Sequence, residues 1–190
     1  MKEIVLTEEQ IHDICHRMGK QIAEDLKDEE KPPLFVCIMK GALYFMADLL
    51  KAIPLKVVED YVHISSYVGT KSSGEVVVKK WLEVNPEGRT VVLVEDIIDT
   101  GLSMNFLVKK LKEECHPKRI LIAALFSKEP ARTHPIKIDY LGYELTENKF
   151  LLGYGLDYNG LGRNIPYVFV PTEKEIAEMN EILARSKDQK

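Results

Sequence analysis

The chain has 190 residues, 45% of them hydrophobic, enough for one sizeable core and too few for two ordinary domains. Its 26 basic and 30 acidic residues give a formal net charge of -4, and the basic ones are scattered, which argues against nucleic acid as a partner. Cys15, Cys37 and Cys115 lie far apart and read as reduced thiols, while the opening MKEIVLTEEQ has no apolar stretch of signal-peptide length. No segment approaches the roughly 18 apolar residues of a membrane span, so a cytoplasmic protein without a membrane partner is the expectation.

In chain order, Thr7 with Gln10 three residues on carries a helix-capping signature. Ile11, Cys15, Met18 and Ile22 then follow at helical spacing. Asp28 to Pro33 breaks the helix, and the apolar run Leu34 to Met39 predicts an interior strand of a parallel sheet. A helix over residues 41–50 follows, with Leu43, Met46 and Leu50 among its apolar residues at helical spacing, and Pro54 ends it. Strands are predicted over 57–64 and 75–82, separated by the glycine- and serine-rich SSYVGTKSSGE, a segment with the composition of an exposed loop. Thr90 to Glu95 is the strongest interior strand, followed after Gly101 by a helix over 103–114 and a buried strand over 120–126. Further strands are expected over 137–143 and 150–156, with a final amphipathic helix over 172–185 that turns Ile176, Met179 and Leu183 inward. Such alternation predicts an α/β fold, a mostly parallel sheet flanked by helices, in one domain spanning 1–190. Ligands of such sheets gather beyond the carboxyl ends of the strands.

The most informative stretch is VVLVEDIIDTGLS, residues 91–103. Glu95 and Asp96 stand at the end of a buried strand, and Asp99, Thr100, Gly101 and Ser103 form a turn entering a helix. A turn of this kind offers amides, hydroxyls and a positive helix end to a phosphate, and the paired carboxylates suit sugar hydroxyls. The same residue types also suit an ordinary acidic surface with a helix cap.

This stretch resembles the phosphoribosyl pyrophosphate signature of the type I phosphoribosyltransferases, in the Glu-Asp-Ile-Ile-Asp-Thr-Gly version of the hypoxanthine-guanine enzymes. The resemblance implies that Glu95 and Asp96 hold the ribose hydroxyls while Asp99, Thr100, Gly101, Leu102 and Ser103 surround the 5'-phosphate. Asp99 is then the candidate catalytic residue. Leu102 departs from the lysine often found there, removing a charge and leaving the amides. Met39, Lys40 and Gly41 match the pyrophosphate-binding turn, often built on a non-proline cis peptide, with Ala42 in place of the usual second glycine. Arg163 is implied near pyrophosphate as well.

On the same resemblance Lys128 reads the exocyclic oxygen of the purine. An ammonium donates and cannot accept, which favours 6-oxopurines over adenine. Phe150, Leu151 and Asp157 match the remaining purine-binding stretch, Phe150 through its ring and Leu151 through its backbone. Asp157, with Glu95 and Asp96, is an expected Mg2+ ligand. Ser66 and Tyr67 match the start of an active-site loop over 65–75 that closes over ligands. The family fold adds a small hood, expected from N-terminal residues and part of 137–165, and family members assemble as homodimers or homotetramers.

The implied reaction transfers the 5-phosphoribosyl group of phosphoribosyl pyrophosphate to hypoxanthine or guanine, releasing pyrophosphate. A xanthine-preferring enzyme shares the 6-oxo group that Lys128 would read and stays open as an alternative. A non-catalytic, nucleotide-binding regulator of the same fold is the other; the intact Glu95, Asp96, Asp99, Lys128 and Asp157 favour the enzyme. A dinucleotide-binding domain is disfavoured because no G-x-G-x-x-G turn follows an early strand.

Overall fold

The structure is a computed structural model that describes residues 2–66 and 76–187. Tyr67, and most of the expected active-site loop, lie outside the described residues; Ser66 ends a strand. The elements are β1 (Glu3–Leu6), α1 (Glu8–Leu26), β2 (Leu34–Met39), α2 (Leu43–Lys51), β3 (Val58–Ser66) and β4 (Val76–Lys80). They continue as β5 (Thr90–Ile98), α3 (Leu102–Cys115), β6 (Arg119–Lys128), a short 3-10 turn (Glu129–Ala131), β7 (Tyr140–Leu145), β8 (Val168–Val170) and α4 (Glu173–Lys187).

The main sheet has the order β4-β3-β2-β5-β6-β7. Every pairing is parallel except β3 with β4, as the α/β reading required. β2 and β5 occupy the centre and are apolar on both faces, which explains their unbroken hydrophobic runs. Their side chains alternate: Phe35, Cys37, Val92 and Val94 face the core shared with α1 and α2, while Leu34, Val36, Val91 and Leu93 face α3. Burial holds the thiol of Cys15 at about 11 and that of Cys37 at about 12, so neither is a reactive thiolate. No helix among the described residues is long and apolar enough to cross a membrane.

The connection from β2 runs outward through α2 to β3, whereas that from β5 runs the other way through α3 to β6. A crevice therefore opens between the carboxyl ends of β2 and β5, where the strand order reverses. That is the position of Lys40 and of the acidic turn.

Several elements differ from the sequence reading. β5 continues through Glu95, Asp96 and Ile97 to Ile98, and Lys128 is the last residue of β6 rather than a residue beyond it. The strand expected over 137–143 is shifted to Tyr140–Leu145. Residues 150–156 form no strand, because Gly153, Tyr154 and Gly155 all take positive φ, a conformation that ends extended pairing; only isolated bridges such as Leu152 to Phe169 remain. On α2 the buried face is Phe45, Met46 and Leu49, and Leu43 is exposed. The antiparallel pair β1–β8 was not foreseen; both strands are very short and lie at opposite ends of the chain.

The capping box at α1 is complete: the Gln10 amide donates to Thr7 Oγ1 at 3.2 Å, and the Thr7 amide donates to Gln10 Oε1 at 2.9 Å. Thr7→Ala is expected to cost about 1 kcal/mol of unfolding free energy in urea denaturation without changing the slope. No change in the midpoint would mean that solvent replaces the cap without loss.

Candidate active site

The crevice is built where three distant segments meet. The β2–β5 register pairs Cys37 with Val94, so two residues further on the turn after β2 stands beside Asp96. Contact there is close enough to require a glycine: a methyl group on Gly41 would lie 1.9 Å from Asp96 Oδ2. The third segment is the loop before β8, where a methyl group on Gly155 would lie 2.0 Å from the Gly41 carbonyl oxygen. The Met39–Lys40 peptide is cis, as the family resemblance suggested.

Arg163 fastens this third segment. It donates through Nη1 to the Gly155 carbonyl, and its Nη2 pairs with Asp157 Oδ1 at 2.6 Å. Asp157 Oδ2 accepts from the Gly160 amide at 2.6 Å. Met39, Lys40, Gly41, Asp96, Asp157 and Arg163 are thereby assembled around one end of the crevice. Among the described residues no group of three or more His, Cys, Asp or Glu side chains could hold a metal ion. The carboxylates present suit a hard cation that takes most of its oxygens from water and a bound phosphate.

Glu95 and Asp96 are adjacent on β5. The Ile97 amide donates to Asp96 Oδ1 at 2.8 Å. Burial, and then the neighbouring Asp96 charge, push the Glu95 carboxyl well above the usual carboxylate range. Burial also raises Asp96, opposed by hydrogen bonds with Glu95 and the Ile97 amide and by the Arg163 charge. Hydroxyl donors arriving at this pair would favour its ionised form.

At the other end, α3 begins at a left-handed Gly101 with φ 85°, which has no side chain to cap the helix. Leu102 and Ser103 belong to that first turn. Thr100 Oγ1 accepts from the Leu102 amide at 3.3 Å. The β5–β6 register pairs Ile98 with Ser127, which puts the buried Lys128 next to Asp99, with Nζ 3.9 Å from Oδ2. Asp99 itself is exposed.

Sequence reasoning missed what holds this turn. Arg132 donates through Nε to the Asp99 carbonyl at 3.0 Å, and through Nη2 to the Ile98 carbonyl at 3.1 Å and Ser127 Oγ at 3.0 Å. The Thr133 and His134 amides both donate to the Thr100 carbonyl, at 3.1 and 2.9 Å. With its carbonyls occupied from behind, the turn leaves amides and hydroxyls for an anion. A single arginine between Pro130 and Pro135 gave no sequence signal for this role.

Phe150 is 49% exposed, and Tyr158 stands edge-on to it with ring centroids 6.0 Å apart. An exposed aromatic braced in this way offers a face to a planar ligand. Leu151 is 5% exposed, so only its backbone can meet a ligand. Ser66 is placed at the end of β3.

Comparison with known proteins gives the same direction. Residues 3–159 match the model of the phosphoribosyl transferase domain. The chain is 41% identical over 175 residues to the hypoxanthine-guanine phosphoribosyltransferase of Streptococcus thermophilus, covering 92% of this chain and 95% of the relative. A crystal structure of a hypoxanthine phosphoribosyltransferase from Staphylococcus aureus superposes with TM-score 0.85 at 36% identity, over 92% of this chain and 93% of that one. That of the Trypanosoma cruzi hypoxanthine phosphoribosyltransferase in complex with its product IMP superposes with TM-score 0.83 at 31% identity, over 90% and 95%.

The Gly41–Asp96 contact is testable by a double-mutant cycle in chemical denaturation. Gly41→Ala should destabilise the parent by about 1–3 kcal/mol through overpacking. In an Asp96→Ala background most of that cost should disappear, a coupling of about 0.5–3 kcal/mol. Additive effects would mean that Asp96 swings aside freely.

Proposed function

We propose, from the premise that this chain belongs to the hypoxanthine-guanine phosphoribosyltransferases, that phosphoribosyl pyrophosphate lies across the β2–β5 crevice with the purine toward Lys128. The enzyme transfers the 5-phosphoribosyl group to hypoxanthine or guanine, giving IMP or GMP and pyrophosphate, a step of purine salvage. The observation that carries the residue assignments is the reversal of strand order, with a basic glycine turn on one side of it and an acidic turn entering α3 on the other.

In this reading the α3 amides with Thr100 and Ser103 bind the 5'-phosphate, Glu95 and Asp96 accept from the ribose hydroxyls, and the backbone of Met39 to Gly41 holds the pyrophosphate. Lys40 and Arg163 add positive charge at that end. The bond from C1 of ribose to pyrophosphate oxygen breaks as the purine N9 bond forms, through a sugar resembling an oxocarbenium ion. Asp99 takes or stabilises the proton at purine N7, its carboxylate 3.9 Å from the Lys128 ammonium. The Lys128 ammonium donates to O6, Phe150 stacks on the ring, and the Leu151 backbone meets its edge. Asp157 at one end of the crevice, or Glu95 and Asp96 beside it, would give carboxylate oxygens to a Mg2+ that takes its remaining ligands from water and phosphate, and the ion would supply positive charge against that developing on pyrophosphate.

The pair β1–β8 with part of the segment between β7 and β8 serves as the hood over the purine. The protein acts in the cytoplasm and assembles as a homodimer or homotetramer, the assembly supported by exposed Leu43 and Tyr61, which line one groove.

Initial rates with guanine, hypoxanthine, xanthine and adenine, each with phosphoribosyl pyrophosphate and Mg2+, test this reading. Guanine and hypoxanthine should dominate; preference for xanthine or adenine would overturn the base assignment. Lys128→Gln should lower kcat/KM for both 6-oxopurines by about 10- to 100-fold, the worth of a charged hydrogen bond, and narrow the discrimination against adenine. Unchanged ratios across the bases would remove Lys128 from specificity.

A further inference from the structure

His12 and His16 lie on α1, one turn apart and both exposed, away from the residues assigned to the crevice. Their Nε2 atoms are 3.0 Å apart and their ring centroids 4.3 Å apart. Residues at i and i+4 project from the same helix face, so the approach follows from their spacing. Two ring nitrogens this close cannot both carry a proton without repulsion. They share one proton, or both lone pairs point at one cation.

We infer that His12 and His16 form a two-nitrogen chelate for a divalent transition cation of tetragonal preference, of the Ni2+ or Cu2+ class. With metal–nitrogen bonds of about 2.0–2.1 Å, the 3.0 Å separation of the two nitrogens subtends about 90–97° at the metal. That is the angle between neighbouring positions of a square-planar or octahedral complex, and it is narrower than a tetrahedral site requires. Imidazole pairs in tetragonal geometry select Cu2+ and Ni2+, which also lead the affinity order of first-row cations.

The surroundings agree with the assignment. His12 Nδ1 lies 3.8 Å from Asp13 Oδ1, so a carboxylate stands beyond hydrogen-bond distance of the nitrogen that would not bind metal and adds negative charge near the cation. Asp48, on the neighbouring helix, is already engaged, accepting from Tyr154 Oη at 2.7 Å and Lys51 Nζ at 3.1 Å. Among the described residues no third His, Cys, Asp or Glu completes a cluster, so water takes the remaining positions. A cavity of about 400 Å³ bounded by both histidines, Tyr44 and Tyr154 gives that water room. The crevice, by contrast, offers oxygen donors. Donor chemistry therefore sorts the cations: a hard ion goes to the carboxylates and a softer one to the imidazoles.

Titration calorimetry with NiCl2 on the full-length enzyme in excess Mg2+ tests the inference. The parent should bind one Ni2+, more weakly as the pH falls, because protons compete for the same lone pairs. His12→Gln and His16→Gln should each weaken binding by about tenfold or more, since each removes one arm of the chelate. Asp157→Asn should leave it unchanged. Electron paramagnetic resonance of a stoichiometric Cu2+ complex should show coupling to two nitrogens in the parent and fewer in either histidine variant. Equal Ni2+ affinity in the parent and both histidine variants, loss confined to Asp157→Asn, or no binding by the parent at millimolar Ni2+ would each overturn the assignment.

Discussion

The carboxylate of Asp96 lies against the bare α-carbon of Gly41, and the backbone of Gly155 presses on the Gly41 carbonyl from the other side. A methyl group at either glycine would come within about 2 Å of its neighbour, far inside van der Waals contact. The end of β5, the turn after β2 and the loop before β8 can approach this closely only because two of the three contribute no side chain. Arg163 completes the junction by donating to Gly155 and pairing with Asp157. The positions of Lys40, Asp96, Asp157 and Arg163 relative to one another all follow from this packing.

The far end of the crevice obeys a different constraint. There the β5–β6 register brings Lys128 to Asp99, and Arg132 occupies the carbonyls of Ile98 and Asp99 from behind. A turn whose acceptors are spent on the protein can present its donors to an anion, and the positive end of α3 adds to that preference. Between the two ends, burial holds the Glu95 and Asp96 carboxyls above their ordinary range. Sugar hydroxyls that donate to the pair favour the ionised form, so ligand binding and ionisation are linked.

Much of this was legible in the sequence because the central strands are buried on both faces. Leu34–Met39 emerged with the predicted bounds, and the capping signature at Thr7 set the start of α1 correctly. The acidic turn was visible as an ordered run of chemistry-bearing residues, and its resemblance to a known family supplied the expected roles. Less was legible where tertiary contacts override local pattern. Residues 150–156 looked like a strand from their apolar content, yet three successive positive φ values bend them toward Gly41. β1 and β8 pair across most of the chain's length, and no local window reveals such a partner. Arg132 carried no signal because its role depends on carbonyls that are remote in sequence. The His12–His16 pair stands at i and i+4 in the sequence, and only the 3.0 Å approach of its two ring nitrogens sets it apart from two ordinary exposed histidines.

The central claim is that the crevice at the β2–β5 reversal holds phosphate at the α3 end and pyrophosphate at the Gly41 end. A crystal structure with GMP, pyrophosphate and Mg2+ tests it most directly. The account predicts the 5'-phosphate within hydrogen-bond distance of the amides of residues 101–103, pyrophosphate on the turn of residues 39–41, and the guanine O6 on Lys128 Nζ. Pyrophosphate bound at the start of α3, or guanine placed away from Lys128 and Phe150, would contradict it.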